Sequence, residues 1–297
     1  MIDILRGLAS SGFFVLNTIF WCLFLLPWAL LKACAPSKKF RLWCTEKILW
    51  VAEKWVAWNS LNIQVLQKGT RWDLRIPANL NPNRSYLVCV NHQSWTDILA
   101  LQFLLNRKIP FMRFFLKQQL LYVPFLGLAW WALDYPFMKR HSREYLKKHP
   151  EKKGEDLATT RKALEAFRHS PVSILNFLEG TRFSQEKHLA QHSPYQHLLL
   201  AKSGGFAFAL GMMGNQFDAI LDVTIVYPQG VVSFWQAFCG RMSSVVMDVV
   251  PLEIPSEFLK GDYLNDEEFR PKIQSWLNEL WQKKDQKISK ILNESLK

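Results

Sequence analysis

The feature that most constrains this chain is an uncharged run near its amino terminus. From Gly7 to Leu31 the sequence reads GLASSGFFVLNTIFWCLFLLPWALL, without a single Asp, Glu, Lys or Arg. A helix of about 20 apolar residues is long enough to cross the roughly 30 Å hydrocarbon layer of a bilayer. The run therefore predicts a membrane-anchoring helix, with Pro27 as the point where it could kink into a re-entrant segment.

A cleavable signal peptide is the competing interpretation of such a run. It would need a more basic start, a shorter apolar core and a small-residue cleavage site, and the sequence has none of these. Before the run, Arg6 is offset by Asp3. After it come four basic residues, Lys32, Lys38, Lys39 and Arg41. The positive-inside bias then predicts that the bulk of the chain faces the cytoplasm.

The net charge and the tryptophan content indicate which partners the chain could bind. Lys and Arg together number 37 against 25 Asp and Glu, which gives the 297-residue chain a net charge of +12. Such a surface attracts phosphates, nucleic acid, anionic membrane or an acidic carrier protein. The 13 tryptophans favour the lipid–water boundary. The five cysteines are scattered without a CxxC pair, which argues against a zinc site or a disulfide framework and favours a reducing compartment.

The chain divides into three parts by pattern. Residues 1–60 contain the apolar run and a stretch, LWCTEKILWVAEKWVAWN, whose helical spacing fits either an interfacial helix or one packed on its own domain. Residues 61–260 alternate short apolar runs with helical patterns. Residues 261–297 predict a closing amphipathic helix.

The middle part predicts an α/β domain. SYLVCVN, SILNFLE and DAILDVTIVYP have the length and β-branched content of buried strands, whereas TDILALQFLLN and EDLATTRKALEAFR have helical spacing. Alternating strands and helices indicate a mixed, largely parallel sheet flanked by helices. In such sheets, sites gather at the carboxyl ends of the strands. His92 and Glu179 each follow a predicted strand, so we expect both at one rim.

Two short motifs at that rim carry the candidate chemistry. His92 and Asp97 would meet if the chain turned after the strand and Asp97 fell in the first helical turn. Ser94 to Asp97 also matches a helix-capping pattern, so the carboxylate could serve the helix terminus alone. In FLEGTR, Gly180 permits a sharp turn that leaves Glu179 and Arg182 at the strand's end, where Arg182 could bind a phosphate or simply pair with Glu179.

Together, NH-x4-D, FxEGTR and the hydrophobic amino terminus closely resemble the 1-acylglycerol-3-phosphate acyltransferase (PlsC-like, HX4D) family. LKQQLLYVPFLGLAWWALDYPFMKR, AKSGGFAFAL and VTIVYP resemble its remaining blocks. FLKQQL, VPFLGLA and TRFSQEKH are most similar to a bacterial inner-membrane branch. Three residues depart from the usual pattern: Gln119, Leu178 and Phe183.

The resemblance implies transfer of a fatty acyl group from a thioester, on coenzyme A or acyl carrier protein, to the free hydroxyl of a lysophospholipid, most simply 1-acylglycerol-3-phosphate. His92 would take the proton of that hydroxyl, and Asp97 would hold the imidazole in the required tautomer. No metal or cofactor is implied, and the location would be a bacterial inner membrane.

The resemblance also implies the residues that bind the acceptor. Arg182 with the backbone of Gly180 and Thr181 would hold the acceptor phosphate, and Glu179 would bind its other hydroxyl or orient Arg182. Two basic residues at the end of the second block, Lys139 and Arg140, would assist.

Three alternatives remain open at this stage. A lipid hydrolase or thioesterase would use His92 and Asp97 with a serine, but the sequence has no G-x-S-x-G elbow. A non-catalytic protein that binds membrane lipid would have the same fold but would not catalyse acyl transfer. A nucleic-acid site is disfavoured because the aromatic residues lie in apolar runs and are not interleaved with Lys and Arg.

Overall fold

The computed structural model describes residues 1–66, 68–138, 167, 170–259 and 269–295, with only the backbone of Met138. Its helices are α1 Ile2–Ala33, α2 Lys38–Leu66, α3 Thr96–Leu105, α4 Leu126–Ala132, α5 Gln185–Ala190, α6 Ser203–Met213, α7 Phe234–Phe238 and α8 Phe269–Ser295. Its strands are β1 Arg71–Arg75, β2 Tyr86–Val90, β3 Met112–Phe114, β4 Leu116–Lys117, β5 Phe137–Met138, β6 Ser173–Phe177, β7 Ala219–Val226 and β8 Ser244–Leu252.

Six of these strands form the central sheet, in the order β1-β8-β7-β2-β6-β3. Every neighbouring pair is parallel except β7 and β8, which are antiparallel. β2 lies between β6 and β7, and Val90 at its end is in register with Phe177 and Val223. The predicted α/β class, a mixed and largely parallel sheet flanked by helices with a long apolar helix at the amino terminus, is confirmed.

The two faces of the sheet pack against different helices because successive side chains of a strand alternate in direction. Leu87 and Cys89 of β2 join a core with α6 and α8. Val88 and Val90 face the other way, into a core with α3. All four side chains are fully buried. This double burial explains why SYLVCVN is almost continuously apolar.

Helices α1 and α2 form an antiparallel hairpin that is joined by polar contacts. Asn17 Nδ2 donates to Asn59 Oδ1 at 2.8 Å and to the carbonyl of Trp55 at 3.1 Å. One turn further along, Asn62 Nδ2 donates to the carbonyl of Ser10 at 3.1 Å. Such bonds pair polar side chains between the two packed helices, as membrane helices also do.

Helix α1 is 32 residues long, about 48 Å, and contacts the α/β domain at both ends. At its start, a side chain on Gly7 would bring Cβ within 2.6 Å of Cys239 Sγ, so any other residue there would displace Cys239. At its end, Lys32 Nζ lies 2.5 Å from Asp134 Oδ2 and donates to the carbonyl of Ala132 at 2.9 Å. Both ends of α1 are therefore fixed to the same domain.

The outward face of the hairpin is apolar. Exposed large side chains follow one another along α1 and α2, among them Leu8, Leu16, Phe20, Leu23, Phe24, Leu30, Trp43, Trp50 and Trp58. Helix α1 is long and apolar enough to cross a membrane, by length and composition alone. The stretch predicted as an amphipathic helix lies within α2, which continues to Leu66. The predicted helix EDLATTRKALEAFR lies outside the described residues.

Candidate active site

The loop that follows β2 is tied to the neighbouring strand by Asn91. Its side chain accepts from the N–H of Ile225 at 2.9 Å and donates to the carbonyl of Ile225 at 2.8 Å. Asn91 is fully buried. It thus extends the β2–β7 pairing by one residue beyond the strand and fixes the point from which His92 projects.

His92 and Asp97 meet at this rim. His92 Nδ1 lies 2.8 Å from Asp97 Oδ2. The carboxyl side chain is completely buried, whereas the imidazole keeps 13% of its surface exposed. The strand ends before His92, the chain turns, and Asp97 falls in the first turn of α3, which is the only arrangement in which residues five apart here could face each other.

Asp97 also organises the loop between them. Its Oδ2 accepts from the N–H groups of Gln93 at 2.7 Å and Ser94 at 2.9 Å. Its Oδ1 accepts from the hydroxyl of Tyr227 at 2.6 Å, and that hydroxyl is also 3.0 Å from Thr96 Oγ1. The bond from Ser94 N–H to Asp97 is one half of the predicted capping pattern. The carboxylate therefore serves the helix terminus and the histidine at the same time.

The other nitrogen of His92, Nε2, belongs to a ring that is 13% exposed. Nε2 makes no hydrogen bond to any residue of the described ranges. The ring stacks on Phe177, with 4.0 Å between centroids and 19° between planes. Phe177 is the last residue of β6, so the parallel pairing of β2 and β6 sets this stack. A ring held on one side by a carboxylate and on one face by an aromatic has a fixed direction for its free nitrogen.

The FLEGTR segment turns beside this ring. Leu178 N–H donates to the carbonyl of Val90 at 3.2 Å, and Phe183 N–H donates to the carbonyl of His92 at 2.7 Å. Between them Gly180 has a φ of +67°, which a glycine adopts without strain. The structure therefore brings the two sequence motifs together at the carboxyl ends of adjacent strands.

Glu179 has contacts that differ from those expected from the sequence. It is fully buried, and its Oε1 and Oε2 accept from the backbone N–H groups of His92 at 2.7 Å and Leu199 at 3.0 Å. Burial, reinforced by the charge of Asp97, raises its pKa to about 7, although the two N–H groups and Lys284 oppose the rise. Both oxygens accept from backbone N–H groups, so Glu179 holds the His92 loop in place, and it forms no ion pair with Arg182 within the described ranges.

Arg182 lies over an aromatic ring of the other motif. Its guanidinium carbon is 4.4 Å from the centroid of Trp95, a residue of the His92–Asp97 loop. The turn has two further cations beside it. Lys187 Nζ donates to Thr181 Oγ1 at 2.8 Å and to the carbonyl of Arg182 at 3.0 Å. Lys202 lies across Gly180, where an added Cβ would be 3.4 Å from its Nζ.

This rim is electrostatically suited to an anion. Within the described ranges, none of the cations Arg182, Lys187 and Lys202 pairs with a carboxylate. A guanidinium can bind a phosphate through two hydrogen bonds, and an ammonium adds a point charge. Lys139 and Arg140, also predicted to bind substrate, lie outside the described residues.

Two further histidines of the described ranges, His188 and His197, have partners of their own. His188 Nε2 contacts the carbonyl of Tyr195 at 2.6 Å, and His197 Nε2 contacts Ser289 Oγ at 3.0 Å. Among the described residues, no three His, Cys, Asp or Glu side chains are grouped so as to hold a metal ion.

Three residues of the site, Asn91, Trp95 and Tyr227, were not predicted from the sequence. Tyr227 had the clearest signal, since it directly follows the strand of the VTIVYP block, at the same rim as His92. Asn91 and Trp95 lie inside the NH-x4-D motif, but the sequence does not indicate which residues they contact.

The sequence matches a family model and is similar to several acyltransferases. Residues 71–227, from the first residue of β1 to Tyr227, match the family model described as Acyltransferase. Lysocardiolipin acyltransferase 1 of Danio rerio is 23% identical over 309 aligned positions, which cover 96% of this chain and 71% of that protein. The delta form of 1-acyl-sn-glycerol-3-phosphate acyltransferase of Mus musculus is 27% identical over 217 positions, which cover 67% of this chain and 51% of that protein.

A solved structure shares the fold. The crystal structure of the 1-acyl-sn-glycerophosphate (LPA) acyltransferase PlsC from Thermotoga maritima aligns with a TM-score of 0.55 at 18% identity, over 97% of this chain and 98% of that one. At this level of identity the likeness concerns architecture, including the amino-terminal helices and the sheet.

Proposed function

The chain belongs to the Acyltransferase family and is an acyltransferase, and from this premise we propose that it moves a fatty acyl group from a thioester to the free hydroxyl of a lysophospholipid. The acceptor we propose is 1-acylglycerol-3-phosphate, and the donor is acyl-coenzyme A or acyl carrier protein. Two relatives bear the names of acyltransferases for a lysocardiolipin and for 1-acylglycerol-3-phosphate, which supports a lysolipid acceptor.

The observation that carries the proposal is the 2.8 Å contact between His92 Nδ1 and Asp97 Oδ2. A carboxylate on Nδ1 favours the tautomer with the proton on that nitrogen, which leaves Nε2 unprotonated and able to accept. A hydroxyl is a poor nucleophile unless its proton is removed as it attacks. His92 thus has the geometry of a general base, and base assistance typically contributes about 10²–10⁴-fold in rate.

The reaction then follows from these two residues. The acceptor hydroxyl attacks the thioester carbonyl while its proton moves to His92 Nε2, and Asp97 stabilises the imidazolium that forms. The tetrahedral intermediate collapses by breaking the carbon–sulfur bond. The proton on Nε2 passes to the departing sulfur, which restores the neutral imidazole and releases a thiol. No serine nucleophile is needed, because the acceptor supplies the attacking oxygen.

The turn at Gly180–Arg182 is the proposed site for the acceptor phosphate. Arg182 would bind it through two hydrogen bonds, and Lys187 and Lys202 contribute positive charge close by. The stack on Trp95 fixes the guanidinium relative to the loop that carries His92. Lys139 and Arg140 are retained as proposed partners of the same phosphate on the strength of the sequence resemblance.

We propose that the chain is bound to a membrane through the α1–α2 hairpin. Asp3 lies 3.4 Å from Arg241 Nε, and Lys32 lies 2.5 Å from Asp134, so the two ends of α1 contact one domain. A helix crossing the bilayer perpendicularly would place these ends on opposite sides. We therefore propose that α1 lies in the membrane surface, with its exposed apolar side chains in the lipid and the polar contacts to α2 away from it.

Two finer proposals rest on sequence alone. Similarity of FLKQQL, VPFLGLA and TRFSQEKH to the bacterial inner-membrane acyltransferase YihG supports a place in that branch of the family. The excess of basic residues after α1 supports a cytoplasmic position for the domain, at a bacterial inner membrane.

One assay tests the proposal as a whole. Purified protein in detergent is offered a panel of lysophospholipids with acyl-coenzyme A and with acyl carrier protein, and products are identified by mass spectrometry. We expect a diacyl product that requires both substrates. Thioester consumption at the same rate with and without a lysolipid would instead identify a thioesterase.

A further inference from the structure

We propose that Tyr227 is a positioning residue for the transfer reaction, acting through a hydrogen bond from its hydroxyl to Asp97 that sets how this carboxylate interacts with His92. The proposal rests on the proposed role of His92 as the base. Tyr227 is buried and follows β7, at a distance of 130 residues in sequence from Asp97.

The two carboxylate oxygens of Asp97 have different hydrogen-bond partners. Oδ1 accepts from Tyr227 at 2.6 Å, whereas Oδ2 accepts from two backbone N–H groups and contacts His92 Nδ1. A carboxylate held at both oxygens cannot rotate about its terminal bond. Tyr227 therefore holds Oδ1 away from the imidazole, while the two N–H groups hold Oδ2 opposite it.

Tyr227 acts as a neutral donor in this arrangement. It is buried, and burial with the adjacent Asp97 carboxylate raises its pKa well above its usual range. Thr96 Oγ1, 3.0 Å from the same hydroxyl, fixes the direction of the phenolic O–H. Within the described residues, Glu179 also lies close enough to Asp97 for their charges to interact, and Lys284 of α8 offsets the charge of Glu179.

Removing the hydroxyl has two separable consequences. The carboxylate loses an orienting contact, so the imidazole is less well aligned and turnover falls. The negative charge of Asp97 is also less dispersed, so it attracts an imidazolium more strongly and His92 holds its proton to higher pH. A residue that served packing alone would change stability without the second effect.

The test compares Tyr227→Phe with the wild-type protein. We expect kcat to fall roughly tenfold, the size of effect of one hydrogen bond to a charged group, with KM for both substrates within about twofold. The acidic limb of the kcat profile should move to higher pH. The midpoint of the His92 ring signals, followed by NMR on ¹³C-histidine-labelled protein and assigned with His92→Gln, should move in the same direction.

Tyr135→Phe is the matched control. Tyr135 is also buried, and its hydroxyl donates to the carbonyl of Met112 at 2.9 Å, away from the loop of His92. This variant should lose stability without any change in the pH profile or in the His92 titration. Site-specific replacement of Tyr227 by 3-fluorotyrosine, a more acidic phenol and a stronger donor, should move both midpoints to lower pH and covers the case in which Tyr227→Phe folds poorly.

The outcomes are distinct. A folded Tyr227→Phe with an unchanged His92 titration overturns the inference, whether turnover is unchanged or falls. A wild-type protein without acyl transfer would contradict the proposed function. The role of the Tyr227 hydrogen bond would still be tested in that case, because the NMR titration of His92 does not require turnover.

Discussion

The guanidinium carbon of Arg182 lies 4.4 Å from the centre of the Trp95 ring, which joins the two motifs of the site through a cation–π contact. Trp95 belongs to the five-residue loop that also carries His92, and that loop is fixed at both ends by Asn91 and Asp97. The contact therefore relates the proposed phosphate anchor to the proposed base. If both proposed roles hold, its geometry limits the separation of phosphate and hydroxyl in an acceptor.

Replacing Trp95 by alanine should raise the KM for a phosphate-bearing lysolipid about two- to fivefold. This range corresponds to the 0.5–1 kcal/mol that a cation–π contact contributes at an exposed site, and Trp95 is 57% exposed. The KM for the thioester should not change. Trp95→Phe keeps a ring and should recover most of the loss; equal KM values in all three proteins would show that the stack does not position Arg182.

Replacing Arg182 by alanine should raise the acceptor KM at least about tenfold, because charge-assisted hydrogen bonds to phosphate are lost. Arg182→Lys keeps the positive charge but loses the planar guanidinium, so its acceptor KM should lie between those of Arg182→Ala and the wild type. Steady-state kinetics at saturating thioester separate KM from kcat. A change confined to kcat would argue that Arg182 acts on the reacting atoms and not on acceptor binding.

Glu179 should make stability depend on pH in an unusual direction. Its pKa rises from about 4.5 to about 7 on folding, so the folded state binds the proton more tightly. The contribution of Glu179 to the free energy of unfolding should therefore decrease as pH rises from about 4.5 to 7, by on the order of 3 kcal/mol, and then level off. Denaturant titrations across this range measure the effect.

Glu179→Gln should flatten that dependence, since an amide does not titrate. It should also lower turnover, because an amide offers one acceptor oxygen to the two N–H groups of His92 and Leu199. Glu186→Gln, at an exposed position at the start of α5, is the control and should retain the wild-type slope. If the stabilities of wild type and Glu179→Gln run parallel between pH 5 and 7, the raised pKa of Glu179 is contradicted.

Charges on the outer face of α1 should weaken membrane binding. Leu16 and Phe20 are exposed on this helix, and lysines at both positions would have to enter the lipid layer. Flotation with vesicles containing anionic lipid should show less bound protein for the double variant. Leu74→Lys, on edge strand β1, is the comparison; an equal loss from that substitution would mean that α1 is not the specific contact.

Local patterns predicted the elements that carry the site. The strands β2, β6 and β7 follow from short apolar runs, and the meeting of His92 with Asp97 follows from a strand that ends just before a helix begins. The contacts of Glu179 did not follow, because the sequence shows a carboxylate beside an arginine and gives no sign of the N–H groups that surround it. Tyr227 and Asp97 are 130 residues apart, and only the order of strands in the sheet brings them together.

The contacts of the amino-terminal helix α1 with the domain could not be predicted from the sequence either. Its apolar length predicted contact with lipid, and length alone is compatible with crossing the bilayer. The contacts of Asp3 with Arg241 and of Lys32 with Asp134 depend on the folded domain, and they are the reason for proposing a helix that lies in the membrane surface.

The rate of acyl transfer by His92→Ala, measured with a lysophospholipid and its thioester donor beside the wild-type protein, tests the central claim most directly. If His92 is the base, kcat should fall by about 10²–10⁴-fold while circular dichroism and the unfolding transition stay close to wild type. Wild-type turnover by a folded His92→Ala protein would contradict the mechanism.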